Sequence, residues 1–564
     1  MRILFFLGVF LVVNTASAQW NQIVKDSVGA CEGNPRVTLH PDYGQTYVTW
    51  FNSDTTGQTA TFDFRVQVLD SLGDFLLPAQ GVVINSNRIH EYTNHYDIEV
   101  DNLNNLVTAT ADEQSGIGIL NIVANKIDNN GNFIWPDSGL RLIDSLSIGG
   151  FDPEIGILST NESVVVWNAK GISKNWIAFQ KITTTGNLVW NNSPIRIIDS
   201  SFISGFSRPQ IIPLANDEFI ILYVSENGTP VNYNIYAQRF NSDGDPLWAN
   251  PIQISAKVTD DRNYPAIVSD GNMGAYISFL SVDSLNHQRE GIYAQHIDVS
   301  GNLWNTDKLL PGLPNPALYY YSPILRFENG MQYPIVLFSD NGAMIIQSLD
   351  SLGNFILGPN GIGIFTQSLF DTHYDMRCVG DGMIIIYEST FFGWNNFEAV
   401  KIDFEGNFMW TPNSLIVSTD SREIYPRINM TPAIQIPGSE RVFMVWEDWI
   451  MDTGIYQWNL NPDGSSVLAF INDVKPTEYS TGIYPNPSAH NQQLEINSLA
   501  NDEITLQIIS STGQLIESRN YIQINSGLNI INLSDLIENS LTTGIYLLTL
   551  KGQLINSTFR LIKE

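Results

Sequence analysis

Apolar and polar residues alternate along most of this chain with a period of two, as in Ile235-Tyr-Ala-Gln-Arg-Phe240 and Ile292-Tyr-Ala-Gln-His-Ile297. That period sends successive side chains to opposite faces, so the segments predict β-strands with one buried face. The alternation breaks at a turn that recurs at Gly73, Gly131, Gly186, Gly244, Gly301, Gly353, Gly406 and, degraded, Gly464, with spacings of 52 to 58 residues. Its fullest forms are Asp128-Asn-Asn-Gly131-Asn-Phe-Ile-Trp135 and Asn241-Ser-Asp-Gly244-Asp-Pro-Leu-Trp248. Glycine supplies the positive φ of a tight hairpin, which predicts a strand on either side of each turn.

Two further strands precede each hairpin. The first follows Pro35, Asp97, Pro153, Pro209, Pro265, Pro323, Asp375 and Pro426, and the second includes Val164-Val-Val-Trp167 and Val442-Phe-Met-Val-Trp446. Four strands in about 55 residues make one propeller blade, and eight repeats predict an eight-bladed β-propeller over residues 19–476. Trp20 to Val24 reads like the last strand of a repeat, yet it precedes the first one. It is expected to complete the final blade, so that no strand edge is left open. A solenoid would need capping repeats at its ends, and no such repeats are evident.

Composition narrows the setting. The 564 residues include 42 Gly and 26 Pro, with only 15% charged residues, which suits a turn-rich all-β protein. Lys plus Arg number 28 against 58 Asp plus Glu, a net charge of -30 that opposes nucleic acid and anionic lipid. Arg2, the apolar run Ile3 to Val13 and Ala16-Ser17-Ala18 predict a signal peptide over residues 1–18, read by the Sec machinery. The run is too short to span a bilayer, and no transmembrane helix is expected in the mature chain. Cys31 and Cys378 are too few for a disulfide framework and fall in non-equivalent places of the repeat.

From 477 to 564 the pattern changes. The segment contains Tyr484-Pro485-Asn486-Pro487, a Gly after a polar pair at Gly513, then Gly527-Leu-Asn529, Gly544-Ile-Tyr546 and a basic end at Lys563. Short alternating strands between regular turn signals describe a small antiparallel Ig-like β-sandwich. The segment resembles the type A C-terminal sorting domain of type IX secretion cargo. The resemblance implies a Gram-negative host, passage through the type IX translocon, removal of the tail by a sortase-like peptidase, and a product that is secreted or held at the cell surface.

Candidate chemistry sits just before the innermost strands, whose connections ring one mouth of a propeller's channel. His95-Tyr96-Asp97 and His373-Tyr374-Asp375 repeat one tripeptide, Tyr264 and Tyr425 stand at equivalent places, and Trp394 and Trp449 fall in neighbouring loops. Aromatic and ionisable groups converging from several blades suit an extracellular glycan or protein ligand. The expected function is therefore binding or adhesion, with a polysaccharide-processing hydrolase as the alternative. A sialidase-like turn is excluded, because Gly131 to Trp135 is a step of four residues where three are needed. His90 and His95 lack a third zinc ligand, and no nucleophile elbow or phosphate loop is present. Oxygen donors around Gly131 and Gly244 leave calcium as the one cofactor to consider, though neither turn has the distal Glu of a calcium loop.

Overall fold

The computed structural model describes residues 21–563 except 25–30, 41–42, 55–60, 71–73, 89–95, 113–119, 143, 145–146, 191–192, 198–204, 228–231, 260–264, 286–287, 312–321, 329–330, 341–342, 366–373, 392–393, 412, 417–432, 437–440, 449–453, 462, 465–478, 485–492, 499–500, 511–514, 534–540, 543 and 553–555. The fold is all-β. The chain divides into two compact units, Met1–Val467 and Leu468–Glu564.

Among the described residues, the first unit holds eight four-stranded antiparallel sheets. Seven are built from consecutive strands, and the eighth combines Ala433–Ile436, Arg441–Asp448 and Gly454–Leu460 with Asn21–Val24. The N-terminal strand pairs as the pattern predicts, with Asn21 opposite Gln457 and Gln22 opposite Tyr456. The first strand of each sheet touches the first strand of the next, and that of the eighth touches that of the first, so these strands form a closed inner ring. Between sheets lies the core. Val164, Val166 and Phe179 of the third sheet pack with Phe219 and Phe240 of the fourth, and Trp50 and Leu69 of the first pack with Phe443 and Val445 of the eighth.

The segment after each glycine turn differs from expectation. Phe133, Leu188 and Phe355 make only single bridges back to Ile127, Ile182 and Leu349, and the fourth strands lie further on, for example at Leu140–Leu142 and Ile195–Ile197. The tryptophans explain the detour. Trp135 donates its indole N–H to the carbonyl of Thr184, Trp190 to Asp243, Trp248 to Val299 and Trp304 to Ser351, at 2.9 to 3.1 Å. Each acceptor belongs to the turn of the next sheet, so the aromatic segment latches one sheet to its neighbour and cannot extend as an edge strand.

The inner strands also differ from expectation in places. In the first, third and fourth sheets they begin before the proline, at Cys31–Leu39, Gly149–Ile157 and Gly205–Pro213. The register shifts where Asn34, Asp152 and Arg208 adopt φ of 58°, 49° and 52° directly ahead of Pro35, Pro153 and Pro209. These are β-bulges, which re-aim side chains where a strand would otherwise continue its pleat.

Among the described residues, the second unit holds a three-stranded and a four-stranded antiparallel sheet. Leu494 and Ile496 of the first sheet share one core with Leu506, Ile508, Leu548 and Leu561 of the second.

Candidate functional site

The inner ring carries charge. Arg36 lies on the inner strand of the first sheet, Asp97 and Glu99 on that of the second, Asp152 and Glu154 on that of the third and Arg208 on that of the fourth. Arg326 comes from the sixth sheet, followed at once by Glu328, while Asp375 and Arg377 come from the seventh. Residues two apart on a strand share a face, so Asp97 with Glu99 and Asp375 with Arg377 point the same way.

Most of these groups are locked together. Arg36 Nη1 meets Asp97 Oδ1 at 3.0 Å, and Asp97 Oδ2 accepts the backbone N–H of Ile155 at 2.8 Å, tying three sheets at one carboxylate. Arg326 Nη2 lies 2.8 Å from Asp375 Oδ1, Arg377 Nη1 3.2 Å from Glu328 Oε1 and Arg208 Nη1 3.5 Å from Asp152 Oδ2.

Glu99 and Glu154 are different. Burial, reinforced by the charge of Asp97 and opposed by Arg377 and Arg36, pushes the Glu99 carboxyl up to about 8. Its side chain still reaches solvent. The influence of Arg377 is informative, because the second and seventh sheets are not neighbours in the ring. The charge of Arg377 therefore acts on Glu99 across the ring. Burial and the charge of Asp97 also raise Glu154 well above the usual carboxylate range, with Asp152 and Glu99 adding to the shift.

The sequence-predicted residues fall in three groups. Tyr96 is corrected: it is 1% exposed, its hydroxyl donates to the Asn34 carbonyl at 2.7 Å, and Phe51 and Phe64 meet its ring edge to face. It belongs to the core between sheets because its polar tip satisfies a bulge carbonyl, and it cannot anchor a ligand. Asp97 and Asp375 are corrected likewise, from loop positions to buried inner-strand partners of arginine. Tyr374 is half-buried at the head of Tyr374–Val379, its hydroxyl 3.3 Å from the Ser322 carbonyl. The backbone of Trp394 opens a strand opposite Phe391, and nothing of its side chain is described. His95, Tyr264, His373, Tyr425 and Trp449 lie outside the described residues, as do Pro485, Asn486, Pro487 and Gly513 of the tail.

Elsewhere in the tail, Tyr484 ends the strand Tyr479–Tyr484, and Gly527 opens a strand with φ of 102°. Gly544 opens another strand, the Tyr546 hydroxyl donates to the Thr542 carbonyl at 2.9 Å, and Lys563 Nζ donates to the Leu541 carbonyl at 2.6 Å. Cys378 is a buried free thiol. Among the described residues there is no group of three or more metal-ligating side chains, and no helix long and apolar enough to cross a membrane.

The first unit is thus a propeller-like all-β ring with charged residues on its inner strands. Residues 482–564 match the family described as the secretion system C-terminal sorting domain, and the protein is a cargo of the type IX secretion system, delivered to the cell surface or the extracellular space. No curated protein matches the chain. Among solved structures it is similar to a polysaccharide lyase, Uly1, at 8% identity, covering 80% of this chain and 94% of that one with a TM-score of 0.41. It is also similar to the α-L-arabinofuranosidase Arb93A of Fusarium graminearum, at 12% identity, 57% and 92% coverage and a TM-score of 0.35. A third likeness is to an α-L-arabinanase of Penicillium chrysogenum, at 11% identity, 59% and 98% coverage and a TM-score of 0.35. At these values no activity, substrate or site passes to this chain.

Proposed function

We propose that the exported body is an eight-bladed β-propeller, carried by an Ig-like sorting sandwich, that binds an extracellular glycan or protein through its charged channel. The Sec machinery would take it across the inner membrane, and a sortase-like peptidase would remove the tail. The observation that supports binding is that Glu99, Glu154, Arg36 and Arg377 all stand on inner strands of the ring. The surrounding ion pairs hold those strands rigid before a ligand arrives, which limits the ordering cost of binding. A carboxyl that keeps its proton near neutrality donates a hydrogen bond, and beside arginine it suits a polyhydroxylated or carboxylated ligand. No cofactor enters this reading. At the Asp128 turn, calcium would have to displace the N–H groups of Asn130 and Asn132 from the carboxylate.

Hydrolysis is the second reading, because a Glu99 that keeps its proton near neutrality can act as general acid on a glycoside, with an ionised carboxylate such as Asp152 as the base. A glycan-array screen of the exported protein, with product analysis, separates the two. Binding without products, weakened about tenfold by Glu99→Gln with Glu154→Gln, is the expected result. Product formation abolished by the same pair moves the protein to the hydrolases, and binding unaffected by it overturns the channel as the site.

A further inference from the structure

Near the end of the third strand in four of the eight described sheets, a basic residue pairs with an acid in the turn between the first two strands. Lys126 meets Asp101 at 2.7 Å, Lys181 meets Glu162 at 2.9 Å, Lys401 meets Asp381 at 2.8 Å, and Arg239 meets Glu218. All four cations are buried. The residue opposite each on the second strand is aliphatic: Val107, Val164, Ile220 and Ile384. This is a structural staple shared by the second, third, fourth and seventh sheets.

The fifth sheet departs from it at three positions together. His296 replaces the permanent cation and lies 2.8 Å from Asp270, Tyr276 replaces the aliphatic partner, and Trp304 stands three residues after Gly301 instead of four. As a result Tyr276, His296 and Trp304 gather with ring centroids 4.7 to 6.1 Å apart, and Phe327 of the next sheet meets Tyr276 at 5.8 Å. Lys308 Nζ lies 5.8 Å over the Trp304 ring. All five side chains are partly exposed, and the His296 side chain is 16% exposed where the four equivalent cations are 2–9% exposed.

We propose that this opened staple, formed by Tyr276, His296, Trp304 and Phe327 with Asp270 and Lys308 at its edge, binds neutral carbohydrate. It goes beyond the channel reading and does not depend on it. Tilted aromatic rings offer flat faces to the C–H side of a sugar ring, while imidazole, carboxylate and ammonium groups at the border meet its hydroxyls. The net charge of -30 disfavours a polyanion and leaves a neutral glycan as the occupant.

The neighbouring sheets supply the test variants. Tyr276→Val and His296→Lys restore the ordinary staple, so the fold should survive while the site closes; Lys308→Ala removes only an edge group. The exported protein is titrated with gluco-, xylo-, manno- and galacto-hexaoses and with polygalacturonate, following tryptophan fluorescence, with a melting curve for each protein. At least one neutral hexaose should bind saturably, about tenfold more weakly in either restored variant and several-fold more weakly in Lys308→Ala, with melting unchanged. No saturable binding of any neutral hexaose below ~10 mM, equal binding by the restored variants, binding of polygalacturonate alone, or loss of binding in Glu99→Gln alone overturns the proposal.

Discussion

Individual carboxyl groups divide here into two kinds with opposite pH signatures. At the turns of Asp128, Asp298, Asp350 and Asp403, burial pushes the carboxyl up, but the side-chain and backbone N–H groups of the following Asn outweigh it and hold each below its ordinary value. Their stabilisation is present above the unfolded carboxylate range and is lost as pH falls through the folded values. Glu99 behaves in reverse. Its folded value near 8 lies above the unfolded one, so its proton favours the folded state below about pH 4.5 and stability declines as pH rises through 8. Glu99→Gln should therefore melt like the parent near pH 4.5 and above it at pH 8 to 9; an equal difference at both ends would show that Glu99 does not titrate in this window. Little of this site was legible in sequence. The repeated His-Tyr-Asp tripeptide drew attention to Asp97 and Asp375, which do lie on the ring, but as locked partners of Arg36 and Arg326. The available signal was the i, i+2 spacing of Asp97 with Glu99 and of Asp375 with Arg377 in strands otherwise apolar.

At the scale of the element, the recurring turn joins a hairpin and also receives its neighbour. A Cβ added at Gly186 would lie 2.8 Å from Trp135 Cδ1, and the residue holds φ of 86°. Gly186→Ala should cost about 1–3 kcal/mol through backbone strain and overpacking. Trp135→Phe keeps most of the ring but loses the bond to the Thr184 carbonyl, which should cost about 1 kcal/mol. Urea denaturation of each variant checks both, and parental midpoints would show the latch to be incidental. The glycines were legible because positive φ restricts residue choice so strongly. The placement of the fourth strand was not, since Phe-Ile-Trp has the composition of a strand whether it pairs along an edge or turns toward the next sheet. A buried Gln adds to the ambiguity. Gln180 Oε1 accepts the backbone N–H of Trp190 at 3.2 Å, and Gln295 Oε1 that of Trp304 at 3.0 Å, holding the segment by side chain where a ladder was expected.

Over the whole molecule, the two ends have separate tasks. The tail addresses the secretion machinery, so deletion of 482–564 should leave the protein in the periplasm, and surface fractions equal to those of the full chain would contradict it. The N-terminal strand closes the ring. Without Asn21–Val24, the strand Gly454–Leu460 becomes an unpaired edge in a sheet that must still pack on the first one through Phe443 and Val445 against Trp50 and Leu69. An open edge invites pairing with other chains, and the lost strand weakens the sheet on which closure depends. That contact joins residues more than 400 apart in sequence, so it is made late and offsets a large loop-closure entropy. Deleting residues 19–30 removes one strand of four residues, yet it should lower the melting temperature by several degrees and shift elution toward oligomers. A monomer melting as the parent does would mean that the packing of the first sheet on the eighth closes the ring unaided.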